Sequence, residues 1–339
     1  MNKLEESKRS LAPLNGLRVL ASLAIFLYHS RILVQGTFPV TFFFMLTGFL
    51  LYYTKSEQIA HMTFRDWLLY VFKKLKTFYP VHLITFVYCF IVFYDSYSID
   101  TMKSAFLNVF LVQSFFEERL YDFNGLAWYL SATMFLYLIG LFLVKVIRKW
   151  QKYWRWMLAV TALGIAVCNG LLWLEIPVYI YGNPFYRVLE CFLGMLIAHI
   201  FLNEDRVSKD GINASRIEFG IFAVFCVMYI MSLWIKPKCG YYSPLFAVAL
   251  YVFAQGKGCL SKLLSSKIFV KASKYCFEFY MLHELVLRTL RMWLPTTALR
   301  HVLLNCVLAF AIAAVLSVVI KHVFTRWNQL VQKLRSNKT

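Results

Sequence analysis

Acidic charge is what this chain has least of: 17 Asp and Glu stand against 36 Lys and Arg, a net charge of +19. Its eight cysteines (Cys89, Cys168, Cys191, Cys226, Cys239, Cys259, Cys276 and Cys306) form no Cys-x-x-Cys pair and no zinc-like spacing. That excludes a zinc ribbon or a thioredoxin-type redox motif and leaves the cysteines as small apolar core residues, so no metal site is expected. Gly/Ser linkers, low-complexity tracts and internal repeats are also missing, which excludes tandem modules and solenoids. The first apolar run has no small-residue cleavage site and continues past signal-peptide length, so it reads as a retained helix.

What the chain has in plenty is apolar surface. It is 60% hydrophobic and 18% aromatic, with a mean hydropathy of +0.61. A soluble fold of 339 residues has no use for so much, whereas a polytopic bundle does, and the aromatic excess suits belts at the two membrane interfaces. Ten candidate spans follow: 12–33, 37–54, 77–95, 125–147, 155–174, 186–202, 217–235, 242–256, 273–293 and 301–324. A shorter apolar run at 103–116 suits an interfacial or re-entrant segment. The expected fold is therefore all-α, a polytopic membrane helix bundle with about ten transmembrane helices. A tail at 1–11, one membrane domain at 12–324 and a tail at 325–339 complete it.

The basic excess invites a nucleic-acid reading, but its placement argues for topology. With the N-terminus in the cytosol, 26 Lys and Arg fall in the tails and in the loops on that side (55–76, 145–155, 206–216 and 257–274). Nine fall in loops and helix ends opposite: Arg31, Lys103, Arg119, Arg187, Lys236, Lys238, Arg288, Arg291 and Arg300. This positive-inside asymmetry predicts a multi-pass protein of the cell membrane with both termini cytosolic. The 96–124 loop, with Asp95 beside it and Asp100, Glu117, Glu118 and Asp122 within it, is expected outside.

One stripe on the first helix carries chemistry. Arg18 and His29 are eleven residues apart, which at about 100° and about 1.5 Å per residue puts them on one face and about 16 Å apart. Asn15, Ser22 and Ile25 lie on the same stripe. Ionisable groups in a span face a bundle interior or a watery cavity. A snorkelling arginine and a hydrogen-bonded core histidine account for such a pair equally well.

Several further segments then fall into a known order. The stretch LNGLRVLASLAIFLYH (14–29) is followed by TFFFMLTGFLLYY (41–53), FKKLKTFYPVH (72–82) and LVQSF (111–115). LAWYLSATMFLYLIG (126–140), FYRVLECFLGMLIA (185–198) and SKYCFEFYMLHELVL (273–287) come next. In this order and spacing, over nearly the whole chain, the segments resemble the acyltransferase 3 family of membrane-bound acyltransferases. There are departures. Thr47 replaces the usual Ser of the second helix, Lys73, Lys74 and Lys76 replace arginines, and Thr77 stands where the last arginine would. Ala132 and Thr133 follow Ser131 where an acidic residue is often found. Lysine is a point charge rather than a planar fork, which weakens the case for bidentate phosphate recognition there.

The resemblance implies transfer of an acyl group, often acetyl, from cytosolic acyl-CoA to a hydroxyl of a sugar or related acceptor. No permanently bound cofactor is implied. O-acyl transfer needs a base for the attacking hydroxyl, and an imidazole suits that task at neutral pH, which singles out His29. Arg18, on the same stripe, is grouped with it as catalytic and, with Lys73, Lys74 and Lys76, as donor-binding; topology alone explains the lysines as readily. Trp128, Ser131, Arg187, Glu190 and His283 are the candidates for the acceptor side. Each has a plainer role: a belt aromatic, a packing hydroxyl, an intramembrane ion pair and a core histidine. His82, His199, His301 and His322 read as structural or interfacial. The rival class is a transporter of a lipid-linked sugar or solute, against which stands the absence of an inverted repeat or of paired Gly/Pro-broken helices.

Overall fold

The computed structural model describes residues 11–94, 98–203, 211–235, 240–294 and 298–336. Asp95, Lys236, Lys238, Cys239 and most of the 1–11 tail lie outside the described residues. Every regular element among the described residues is helical: α1 Ala12–His29, α2 Phe38–Lys55, α3 Phe64–Val92, α4 Ile99–Val109, α5 Ala127–Lys149, α6 Trp154–Trp173, α7 Pro184–Asn203, α8 Gly211–Ile235, α9 Ser243–Gln255, α10 Cys259–Leu264, α11 Lys267–Ser273, α12 Cys276–Trp293 and α13 Leu299–Ser336, with single 3₁₀ turns between some of them.

Six of these helices (α3, α5, α6, α7, α8 and α13) are long and apolar enough to cross a membrane by themselves. The protein is a multi-pass membrane protein. The other four expected spans are helices too, but shorter or more polar. α1, α2 and α12 have 18 residues each and α9 has 13. α1 and α12 bring Arg18, Ser22, His29 and His283 to the interior of the bundle, where polar groups of a membrane protein are placed.

α2 and α7 form the closest helix pair, and two glycines explain it. A Cβ on Gly48 would lie 1.8 Å from the Cys191 carbonyl oxygen, and one on Gly194 would lie 1.9 Å from that of Met45. No side chain fits at either crossing point. In lipid, where apolar surface gains little by leaving the solvent, this close backbone contact supplies the van der Waals adhesion that holds helices together. α5 packs on the same pair, and the main core gathers Phe44, Met45, Phe49, Trp128, Leu136, Leu196 and Leu250. α6 and α8 lie outermost. Val160, Leu163, Phe222 and Trp234 point outward from them, which only a lipid surround makes favourable.

The basic stretch before the third expected span is not a loop. α3 starts at Phe64, thirteen residues before the expected edge. Thr63 and Asp66 explain the start: the Thr63 N–H donates to Asp66 Oδ2 at 3.0 Å, and the Asp66 N–H donates to Thr63 Oγ1 at 3.2 Å. This reciprocal cap satisfies two otherwise orphaned donors. The helix then runs through Pro80, so Lys73, Lys74 and Lys76 project from it in different directions. The 103–116 run forms α4 and the turns after it, with Ile99, Met102, Phe106 and Phe110 exposed as on an interfacial helix. At the far end, α13 continues through 325 into the segment expected as a tail.

Candidate active site

α1 runs from Ala12 to His29 with Pro13 in its first turn, where the missing N–H costs nothing. Its polar stripe divides into two parts. Arg18 and Ser22 line a cavity of about 460 Å³. The next residue on the stripe, Ile25, is buried in an apolar cluster with Val81, Leu126, Ala127, Tyr280 and Met281. His29 lies past that cluster.

The cavity is built from α1, α2, α3, α5, α12 and α13, together with the α11 terminus. Arg18, Lys74, Lys274 and Lys321 contribute cations. Tyr70, Phe78, Tyr129, Tyr137, Phe277 and Tyr280 contribute aromatic walls. No carboxylate is among these lining residues. Glu278 stands just behind, its Oε1 accepting from Lys321 Nζ at 2.7 Å. Lys74 is 5.5 Å from the Tyr70 ring centre and 5.4 Å from that of Tyr137, and Lys55 is 4.9 Å from Tyr70. Cations packed on ring faces keep part of their stabilisation when water is displaced. The arrangement is an anion receptacle with stacking surfaces.

Of the three lysines singled out in the sequence, the cavity receives one. Lys73 and Lys76 are exposed and point elsewhere, and Thr77 spends its hydroxyl on the Lys73 carbonyl at 3.0 Å. Lys274 and Lys321 take the places beside Lys74. In the sequence Lys274 ends the 257–274 loop and Lys321 lies at the cytosolic end of the last expected span, both counted with the topological excess, so no local signal marks them.

Beyond the apolar cluster, His29 Nδ1 lies 2.9 Å from His283 Nε2, and His283 Nδ1 lies 3.1 Å from the Phe279 carbonyl oxygen. Glu284 Oε2 is 3.9 Å from His29 Nδ1, and Arg291 Nη1 is 3.9 Å from Glu284 Oε1. Arg291 also donates through Nη2 to the His29 carbonyl, holding the end of α1 against α12. His283 is fully buried, whereas the His29 side chain keeps 24% exposure. Glu284 and Arg291 are functional candidates that the stripe on α1 gave no hint of.

Arg187, Glu190 and Trp128 come together elsewhere. Arg187 Nη1 donates to Glu190 Oε2 at 2.6 Å, its Nε donates to the Tyr181 carbonyl at 2.9 Å, and Thr41 Oγ1 donates to Glu190 Oε1 at 2.8 Å. Phe44, Trp128, Tyr181 and Tyr186 surround the guanidinium at 5.0 to 5.7 Å. Both charges are buried and paired, and none of the three residues lines the cavity. Ser131 donates to the Leu111 carbonyl at 2.6 Å and meets Ser114 Oγ at 2.7 Å, so its hydroxyl fastens α5 to the turn after α4.

These features occur in a chain with clear relatives. An acyltransferase domain family, acyltransferase 3, matches residues 11–325. The chain is similar to acyltransferase MdmB of Streptomyces mycarofaciens, with 24% identity over 320 residues, covering 82% of this chain and 79% of that protein. No solved structure matches. Between the two classes left open by the sequence, an acyl-transferring enzyme and a carrier, this decides for transfer. The chain belongs to the acyltransferase 3 family and is a membrane transferase of acyl groups.

Proposed function

We propose that the enzyme moves an acyl group, acetyl in the first instance, from cytosolic acyl-CoA to a hydroxyl of a carbohydrate or its lipid-linked precursor at the cell membrane, with His29 as general base. The observation that carries this reading is the single face of α1 that presents Arg18 to a cation-lined cavity and His29 to a fixed imidazole contact one bilayer leaflet away.

The chemistry follows from the parts. Phosphates of the donor meet Arg18, Lys74, Lys274 and Lys321, and an adenine ring has aromatic faces to stack on. The rise of about 16 Å from Arg18 to His29 suits an extended pantetheine arm. The Ile25–Tyr280 layer must part for that arm, since the cavity lining stops at Ser22 and Tyr280. His29 then takes the proton of the acceptor hydroxyl as its oxygen attacks the thioester carbonyl. The C–S bond breaks, and the imidazolium returns the proton to the CoA thiolate. With the 26-to-9 division of Lys and Arg, both termini and the Arg18 end face the cytosol and the 96–124 segment faces out, in a bundle of about ten spans.

Purified enzyme in lipid should release free thiol from acetyl-CoA, faster when hydroxylated sugars are supplied, and mass spectrometry of surface glycans with and without the enzyme should identify the acylated product. No thiol release with any acyl-CoA would remove the donor assignment. On a cysteine-free background, a cysteine at position 118 should be labelled from outside and one at 55 from the cytosol; the reverse would remove the geometric basis for a cytosolic donor.

A further inference from the structure

His283 was grouped above with the acceptor side, but its surroundings give it a different task. It is fully buried, lines no part of the cavity, and spends both ring nitrogens on the protein. The Phe279 carbonyl can only accept, so His283 Nδ1 carries the hydrogen in the 3.1 Å contact between them. A neutral imidazole has one such hydrogen, so His283 Nε2 is an acceptor. The 2.9 Å contact then requires His29 Nδ1 to donate. His29 Nε2 is left with the lone pair, and among the described residues nothing bonds to it. A carbonyl on α12 thus determines, through His283, which nitrogen of His29 takes a proton.

Resting on the reading of His29 as the base, we infer that His283 is a positioning residue that holds His29 in the tautomer and ring orientation with Nε2 free, and that Glu284 is the anion that accompanies the imidazolium. When Nε2 takes the acceptor proton, Nδ1–H stays on His29 and keeps its bond to His283. The positive charge faces Glu284 Oε2 at 3.9 Å until the proton passes to the thiolate. The ionisable neighbours of His29 and Glu284 among the described residues come from two elements. Tyr28 and Arg31 belong to the His29 end of α1 and the turn after it, and His283, Glu284, Arg288 and Arg291 to α12. α13 contributes Phe310, packed on Phe26 and Phe279, and Ala309, Ala313 and the thiol of Cys306 in the adjoining apolar cluster. Arg291 is committed to the His29 carbonyl and to Glu284, and among the described residues Glu284 is the carboxylate beside the ring.

The experiment uses the full chain in lipid nanodiscs and two readouts that need no identified acceptor. One is thiol release from acetyl-CoA with water as acceptor. The other is carbethoxylation of His29 by diethyl pyrocarbonate, followed by peptide mass spectrometry across pH, which reports the unprotonated ring nitrogen. His283→Ala should lower kcat at least tenfold with the donor KM within about twofold, in the range of lost orienting groups. His283→Gln, whose amide oxygen reaches the Nε2 position and accepts the same bond, should recover kcat to within about threefold. Glu284→Gln should move the midpoint of His29 carbethoxylation to lower pH, because the imidazolium has lost its anion. An unchanged kcat in His283→Ala, or a His283→Gln enzyme as poor as His283→Ala, would overturn the inference. If His283→Ala does not fold, the folded His283→Gln and Glu284→Gln enzymes decide: a tenfold loss in the first or an unmoved midpoint in the second has the same force. His29→Ala is the control that separates the two levels. Activity surviving there removes the base assignment, whereas an inactive His29→Ala beside a normal His283→Ala removes only the positioning role.

Discussion

The two ends of α1 hold charge in opposite ways. At the Arg18 end, four cations from four helical segments surround an open cavity, with Lys74 cushioned on the Tyr70 and Tyr137 rings and Lys321 paired with Glu278 behind the wall. At the His29 end, one imidazole is fixed by a second imidazole at 2.9 Å, a carboxylate at 3.9 Å and an arginine on its own carbonyl, in a packed setting. Recognition of a multiply charged anion tolerates several arrangements of cations, since Coulomb attraction falls slowly with distance. Proton transfer requires heavy atoms within hydrogen-bond reach and the right nitrogen bare. The lysines can therefore be exchanged between helices while the histidine geometry cannot drift.

The sharpest break in this comparison is His29→Ala. Loss of general-base assistance should lower acyl transfer by roughly 10²- to 10⁴-fold, with the donor KM and the thermal midpoint in detergent near wild type. Thiol release from acetyl-CoA checks the first, and a variant retaining most of its rate would refute the division of labour. At the other end, Arg18→Ala should leave kcat close to normal and raise the donor KM roughly 10- to 100-fold, the expected cost of one charge-assisted contact. If kcat falls instead, Arg18 belongs to the chemistry and the two ends are one site.

The three lysines of α3 sharpen the comparison further. Lys74→Ala should raise the donor KM several-fold, by an amount that shrinks in high salt because the cavity is open to solvent. Lys73→Ala and Lys76→Ala, whose side chains point away, should each stay within about twofold of wild type, the scale expected of exposed charges outside a network. Lys274→Ala and Lys321→Ala should behave like Lys74→Ala. A competition assay with unacylated CoA measures all five.

That contrast also marks the reach of the sequence. The stripe from Arg18 to His29 is legible because eleven residues are close to three helical turns, and nothing outside α1 is needed to see it. Which lysine of 73, 74 and 76 faces inward is not legible, since their side chains leave α3 in different directions and the choice depends on where α5 and its Tyr137 pack. Lys274 and Lys321 were hidden by the topological excess of positive charge, of which every tail cation is formally a part. His283 was legible as a residue but not as a partner of His29, because that contact spans 254 residues of chain. The span count was legible in part: six of the ten expected spans are helices long and apolar enough to cross a membrane, α6 and α8 the most outward-facing among them, whereas α1, α2, α9 and α12 are shorter or more polar.

The smallest expected effect lies in the turns after α4, which are tied to α12 beyond His283. Arg288 of α12 donates to the Phe123 carbonyl at 3.0 Å, which ties the turn after α4 to the helix carrying His283. That turn is clamped from the other side by Arg119, whose guanidinium grips Asp100 through two bonds, of 2.6 and 2.5 Å, with Asp122 at 3.8 Å and Ser104 bonded to Asp122 in turn. The Arg119 hydrogen bond and charge, joined by Lys103, hold the Asp100 carboxyl below its ordinary value. A carboxyl depressed in the folded state stabilises above its unfolded pKa, about 3.9, and loses that contribution as pH falls through the lower folded value. Asp100→Asn should therefore lower the thermal midpoint slightly at pH 7 and not at all near pH ~2, and high salt should narrow the gap, since the pair is exposed. Any loss of activity should fall on kcat, through the Arg288 tie to the helix that carries His283, with the donor KM untouched. A donor KM that rises in Asp100→Asn would show that the two ends of α1 are coupled through α12 and the turns tied to it, and the comparison would have to be redrawn as a single, linked site.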